Sequence, residues 1–177
     1  DRAGGDVPKQ YRSLLGRPVI AWSVRALADA GAAEIIVVCA QEHAALCRAA
    51  TDGVAEVKIV AGGLTRTQSV RAGIAAAGDV DAILIHDAAR PGLSVEIILA
   101  LLKALANGVV AVAPALAAPD TLRRVNASGR VIEDVSRDGL MRIQTPQAFR
   151  ADTLRGAYAE LSHEASMTDD IAVVRFG

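Results

Sequence analysis

The stretch PVIAWSVRALADAGAAEIIVVC, residues 18–39, decides the fold. Pro18 stands where a helix can begin, because the N–H it lacks is one that a first turn leaves unpaired anyway. Val19, Ile20, Val24 and Leu27 follow at helical spacing, and Gly31 comes where a helix often ends in a left-handed residue. The spacing predicts a helix over 18–30. Directly afterwards Glu34-Ile35-Ile36-Val37-Val38-Cys39 abandons the helical period for a short apolar run, the pattern of a strand covered on both faces. Helix followed by a two-sided apolar strand is the repeating unit of a parallel α/β sheet.

Working outward, residues 42–50 read as helix, Lys58-Ile59-Val60 as the end of a second strand, and residues 66–77 as a helix closed by Gly78. Ala82-Ile83-Leu84-Ile85-His86 is the third strand. Ser94 can cap a helix that carries Glu96 in its first turn and leads into a strand over 109–115. The pattern then changes. Residues 121–125 and 130–135 read as two strands around the turn Asn126-Ala127-Ser128-Gly129, an antiparallel ribbon inside an α/β chain. Such a ribbon is an arm, about residues 118–138, folded on its own subunit or reaching a second one. Two more helices are predicted, over 151–161 and after Thr168. The expected architecture is one α/β domain over residues 1–177, Rossmann-like, with a mostly parallel sheet, flanking helices and a protruding β-arm.

The composition narrows the function. The 177 residues carry 19 Lys and Arg against 20 Asp and Glu, a net charge of -1. Nucleic-acid and membrane-surface binding normally draw on a cationic excess, so neither partner is expected. With 52% hydrophobic residues the chain has material for a core and is not disordered as a whole. Aromatic residues are only 3%, so a bound nucleobase would have to be read by backbone groups and not by stacking. Cys39 and Cys47 lack a metal-binding spacing and read as reduced structural thiols. No apolar run approaches the roughly 20 residues of a membrane span, and no signal peptide is visible, which points to a cytoplasmic setting.

In open α/β sheets ligands bind beyond the carboxyl ends of strands, so the turns that follow strands carry the chemistry. After Val60 come Gly62-Gly63, whose missing side chains let a ligand approach the main chain, then Arg66 and Ser69 one helical turn apart. After His86 comes Asp87-Ala88-Ala89-Arg90-Pro91, an acid and a base on one rim. The start of the chain, Asp1-Arg2-Ala3-Gly4-Gly5-Asp6-Val7-Pro8-Lys9-Gln10-Tyr11, combines glycines with cations and suits phosphate. His86 reads as a hydrogen-bonded structural histidine, while His43 and His163 are isolated. Asp169 and Asp170 complement a helix dipole behind a Thr168 cap.

Arg2 with PKQY at residues 8–11, Gly62-Gly63 with Arg66 and Ser69, and HDAARP at residues 86–91 are followed by Asp120-Thr121, residues 137–140, Thr145-Pro146-Gln147 and Thr168-Asp169-Asp170. In this order they resemble the methylerythritol-phosphate cytidylyltransferase family. The resemblance implies a Rossmann-like nucleotidyltransferase that joins CTP to 2-C-methyl-D-erythritol 4-phosphate and releases pyrophosphate, in the non-mevalonate route to isoprenoids. It further implies a magnesium-dependent homodimer. Carried onto this chain, Arg2 and Lys9 bind the triphosphate and stabilise the transition state, and Gly62, Gly63, Ser69, Asp87 and Ala88 face the nucleotide. Asp87 and Arg90 lie beside the acceptor; Asp87 either orients a substrate hydroxyl or sits near the Mg2+, which phosphates mainly hold. Thr121 and Arg137, at the two ends of the arm, serve the acceptor phosphate of the neighbouring subunit, and Thr145 shapes the acceptor pocket or ends a strand. Family members begin with a further strand and an Ala-Ala-Gly-x-Gly-x-Arg loop and continue past the equivalent of Gly177, so a longer chain is expected, and a second domain downstream stays open. Two rivals remain: another sugar-phosphate nucleotidyltransferase of the same fold, and a non-catalytic nucleotide-binding module.

Overall fold

The computed structural model describes residues 7–162, 165 and 167–176. A short hairpin, β1 (Ser13–Leu14) and β2 (Arg17–Pro18), leads into helix α1 (Val19–Asp29). Strand β3 (Ile36–Cys39), helix α2 (Ala44–Thr51), strand β4 (Lys58–Ala61), helix α3 (Arg66–Ala76) and strand β5 (Ala82–Ile85) then alternate as expected. Helix α4 (Val95–Ala106) precedes the short strands β6 (Ala111–Val112) and β7 (Ala115–Ala117), and the arm hairpin is β8 (Leu122–Val125) with β9 (Val131–Val135). Strands β10 (Met141–Ile143) and β11 (Gln147–Arg150) and helices α5 (Ala151–Glu160) and α6 (Asp170–Phe176) complete the chain. Among the described residues no helix is long and apolar enough to cross a membrane.

Helix α1 buries Ile20, Ala21, Val24 and Ala26, the face its apolar spacing predicts. Pro18 is its N-cap and not its first residue: at φ -56° and ψ 141° it is still extended. Gly31 takes φ 82°, the left-handed conformation that stops the helix. One core cluster gathers Tyr11, Ile20, Val24, Ile35, Val37, Cys47 and Ala50 between α1, β3 and α2. A second centres on Phe149, Leu154, Tyr158 and Val173, joining β11, α5 and α6. Both cysteines are free, and burial pushes the Cys47 thiol up to about 11, consistent with an unreactive packing residue.

The sheet departs from the mostly parallel one expected. β3 and β4 pair in parallel, with Ile36 opposite Lys58. β11, to which the sequence reading assigns no element, lies antiparallel between β5 and β6, with Ala148 opposite both Leu84 and Val112. The described sheets are therefore small and mixed. The strand expected over 109–115 is broken in two, because Pro114 has no N–H to continue a ladder. Its carbonyl instead accepts the Gln144 N–H at 2.8 Å, and the chain passes from the β6–β11 pairing to the antiparallel β7–β10 pair that forms the base of the arm.

Between β3 and β5 lies a cavity of about 770 Å³ whose walls include Val24 of α1, Val37 of β3, Val70 and Ile74 of α3, and Ile83 and Ile85 of β5. Among the described residues β3 has a ladder partner only on its β4 side, and β5 only on its β11 side. The arm forms as predicted. Leu122 faces Val135, Arg123 pairs with Asp134 at 3.0 Å, and Arg124 pairs with Glu133 at 2.6 Å. Asn126 Oδ1 closes the turn by accepting the Ser128 and Arg130 N–H groups, each at 3.0 Å. Val125, Val131 and Ile132 on this hairpin, with Leu116 and Met141 at its base, expose apolar side chains to solvent.

Candidate active site

β4 ends at Ala61, and the Gly62 N–H still donates to the Cys39 carbonyl at 2.8 Å, completing the ladder before the chain turns. The turn is drawn tightly onto the first turn of α3. Ser69 Oγ accepts the Gly63 N–H at 3.2 Å and donates to the Thr65 carbonyl at 3.0 Å, while Gln68 Oε1 accepts the Leu64 N–H at 2.8 Å. Thr65 caps α3 by accepting the Gln68 N–H at 3.1 Å. A Cβ on Gly62 would lie 2.8 Å from Ser69 Oγ, and one on Gly63 would lie 2.4 Å from Gln68 Cβ. Gly63 is therefore required by close approach, whereas a side chain at Gly62 would have to displace the Ser69 hydroxyl. Gln68 was missed as a site residue, although Thr65-Arg66-Thr67-Gln68 has the spacing of a capping box.

Ser69, Arg66, His86, Asp87 and Ala88 all line the cavity between β3 and β5, so the two loaded turns border one crevice as expected. The crevice wall at β5 is built around Thr145. Its hydroxyl accepts the Asp87 N–H at 3.1 Å and lies 3.0 Å from His86 Nδ1. On the other side of the ring, Nε2 is 3.1 Å from the Arg90 carbonyl and 3.2 Å from Ser23 Oγ. A carbonyl only accepts, so Nε2 carries the proton, and Nδ1 accepts from the Thr145 hydroxyl. Arg90 turns back across the same loop, its Nε donating to Asp87 Oδ2 at 3.0 Å and its Nη1 to Gln144 Oε1 at 2.5 Å. The Asp87 and Arg90 side chains are each 45% exposed. A pair so open to water adds little stability, and it leaves an acid and a base exposed at fixed spacing. Ser23 and Gln144, both missed from sequence, lie too far away in the chain for any local pattern to mark them.

His86 is a structural histidine, as expected. Burial lowers its pKa and outweighs the hydrogen bond to the Arg90 carbonyl, which acts the other way. A histidine depressed below its unfolded value contributes stability that is present above the unfolded pKa and lost as pH falls through the folded one. Thermal unfolding followed by circular dichroism between about pH 5 and pH 8 should therefore show wild-type stability falling below the ordinary histidine pKa. His86→Gln should flatten that fall. Curves that remain parallel would assign the pH dependence to other groups.

Lys9 is exposed on a 3₁₀ turn, Lys9–Tyr11, anchored by Tyr11. Tyr11 is buried against α1 and α2, which pushes its hydroxyl up to about 12, and Ala88 of the rim packs on the same cluster. The N-terminal turn and the 86–91 rim thus share one support. Arg2 lies outside the described residues. Thr121 and Arg137 are exposed at the arm, where Arg137 Nη1 donates to the Pro119 carbonyl across its base. Among the described residues neither bonds to the crevice. The chain itself therefore brings Ser69, Asp87 and Ala88 to one cavity, with Gly62 and Gly63 packed against the first turn of α3 and Arg90 and Thr145 bonded to Asp87, but does not bring the two arm residues to them. No group of three or more His, Cys, Asp or Glu side chains able to hold a metal ion occurs among the described residues. A lone carboxylate, Asp87, fits a magnesium ion bound mainly through substrate phosphates and water, and does not fit a protein-caged metal.

The profile of the IspD family, 2-C-methyl-D-erythritol 4-phosphate cytidylyltransferase, matches residues 1–176. A bifunctional enzyme IspD/IspF of Caulobacter vibrioides is 47% identical over 98% of this chain, which spans 45% of that protein's length. A 2-C-methyl-D-erythritol 4-phosphate cytidylyltransferase of Cereibacter sphaeroides is 42% identical over 98% of this chain and 77% of its own. Among solved structures, a 4-diphosphocytidyl-2C-methyl-D-erythritol synthase of Anaerococcus prevotii superimposes with a TM-score of 0.83 at 28% identity, covering 98% of this chain and 78% of that one.

Proposed function

This chain belongs to the 2-C-methyl-D-erythritol 4-phosphate cytidylyltransferase family, and from that premise we propose that the protein transfers CMP from CTP to 2-C-methyl-D-erythritol 4-phosphate. Pyrophosphate leaves, and 4-diphosphocytidyl-2-C-methyl-D-erythritol forms. The observation that carries this reading is that Ser69, in the first turn of α3 after β4, and Asp87 and Ala88, directly after β5, border one end of the gap between β3 and β5, beyond the carboxyl ends of the strands. The base is read by the backbone around Gly62 and Gly63 and by Ser69, in keeping with the scarcity of aromatic residues.

An acceptor phosphate oxygen is already an anion at neutral pH, so its attack on the α-phosphorus needs no strong general base. The barrier lies in bringing two polyanions together and in stabilising charge on the crowded phosphorus and on the departing pyrophosphate. Arg2 and Lys9 supply positive charge to the triphosphate. Arg90 and Asp87 orient the acceptor, and Thr145 acts one step back by holding the Asp87 backbone and the His86 ring. Magnesium would supply further charge neutralisation, with Asp87 as the protein ligand the crevice offers.

Two features support an assembly larger than the described chain. A strand seated between β3 and β5 would join the small sheets into one, giving the Rossmann-like sheet expected from sequence. The exposed Val125, Val131 and Ile132 support a homodimer through the arm, which would carry Thr121 and Arg137 to the acceptor phosphate of the second subunit. With phosphorylated small molecules as both substrates, the reading places the protein in the cytoplasm.

A panel of nucleoside triphosphates incubated with the acceptor and magnesium tests the proposal through pyrophosphate release. Release with CTP, at a rate at least about tenfold above UTP, GTP and ATP, is expected. Release with another triphosphate but not CTP would favour a different sugar-phosphate nucleotidyltransferase. CTP binding with no product from the full-length protein would make it a nucleotide-binding module.

A further inference from the structure

Among the described residues, the most completely buried carboxylate lies at neither rim. Asp170, at the start of α6, is fully buried. Arg66 grips it with both arms of its guanidinium, Nη1 donating to Oδ1 at 3.1 Å and Nη2 to Oδ2. The Tyr158 hydroxyl donates to Oδ1 at 2.6 Å. The Asp170 N–H in turn donates to Oε1 of the buried Gln147 at 2.9 Å, and the Ile171 N–H joins it at 3.1 Å. Burial alone would pull the Arg66 pKa down, but the carboxylate outweighs it and the net shift is upward. Burial, and then the neighbouring carboxylate, raises the Tyr158 pKa. Dipole complementation, the role read from sequence, needs none of this, and a buried ion pair is seldom a gain in stability over an apolar one.

The position of Arg66 suggests a different purpose. It is the first residue of α3, its side chain is 34% exposed, and it lines the crevice beside Ser69, Asp87 and Ala88. Two residues on, Gln68 holds the Leu64 N–H, and Ser69 holds the Gly63 N–H. Thr67, between Arg66 and Gln68, accepts the Met167 N–H at 3.1 Å, so two adjacent residues of this turn are tied to the start of α6 and the segment before it. Gly62 is tied to β3 through the Cys39 carbonyl, but among the described residues the Gly63 and Leu64 N–H groups are held only by the Ser69 and Gln68 side chains of α3. Whatever fixes the first turn of α3 fixes the turn before it.

We propose that Asp170 is a positioning residue for the nucleotide: by locking Arg66 it sets the first turn of α3, and through Gln68 and Ser69 the backbone of residues 62–64. This rests on the reading of that backbone as the CTP-base site. Asp170→Asn in the full-length protein should raise the KM for CTP by about tenfold or more and leave the KM for the acceptor within about twofold. The amide protons of Gly63 and Leu64 should exchange at least about tenfold faster. Asp170→Glu, which keeps the carboxylate, should recover part of both changes. Measurements belong at a temperature where circular dichroism shows each variant folded. Should Asp170→Asn not fold, Arg66→Lys breaks the same two-armed grip and should give the same split. A lower melting temperature with unchanged CTP KM and unchanged exchange at residues 62–64 would overturn the proposal. Should the wild type neither bind nor turn over CTP, the assignment of the site fails, and the exchange of those amides still decides whether Asp170 positions the turn.

Discussion

Replacing Lys9 with alanine is expected to lower turnover by more than about a hundredfold, a loss of roughly 2.7 kcal/mol of transition-state stabilisation, with the fold intact. Both halves of that expectation have a structural basis. The turn that carries Lys9 is held by the burial of Tyr11, while Lys9 itself points out of the core. Removing its side chain deletes a charge and leaves the packing as it was. The proposed reaction concentrates negative charge on one phosphorus and its leaving group, so a cation held beside them acts mainly in the transition state. The loss should therefore appear in kcat and in kcat/KM together, with an unchanged melting curve. Near-normal turnover would remove Lys9 from the proposed machinery.

Gly63→Ala should weaken CTP binding by about tenfold or more, roughly 1.4 kcal/mol or above, with little change in acceptor KM. The added Cβ would stand 2.4 Å from Gln68 Cβ and 2.8 Å from Gln68 Oε1. Gln68 Cβ is the root of its side chain and cannot swing aside, so the turn must lift from α3. Lifting it breaks the Gly63 N–H bond to Ser69, the contact that holds this backbone in the shape proposed to read the base. The turn is at the surface and its displacement exposes little apolar area, so the melting temperature should change little. Calorimetric titration with CTP checks the affinity. A variant that binds CTP as the wild type does would show that the nucleotide does not lie against this backbone.

Much of the molecule was legible from local pattern. The helical period over 18–30 and the apolar run that follows yield α1 and β3 within two residues of their ends, because a single covered face or a covered strand marks every residue in it. Ser94 caps α4 as its position suggests, accepting the Ile97 N–H at 3.4 Å. The arm was equally plain, since its turn chemistry and flanking β-formers are contiguous. The glycine turn and the 86–91 rim could be marked as one crevice because α/β strands deliver their loops to a common edge. Pro114 shows the limit of such reading: an apolar run from 109 to 115 looks like one strand, and the missing N–H divides it between two ladders.

The alternation of helices and strands, the cap and turn residues, and the two candidate turns after β4 and β5 are local properties, readable because each depends on neighbours a few residues away. Tertiary structure alone decided that β11 enters the sheet antiparallel between β5 and β6, since nothing in Gln147-Ala148-Phe149-Arg150 distinguishes a strand from a loop until both partners are present. It alone decided that Thr145 spends its hydroxyl on Asp87 and His86, and that Asp170 reaches across the fold to Arg66. Such contacts join residues dozens of positions apart, and their energy exists only once burial has removed the water that would otherwise satisfy each polar group separately.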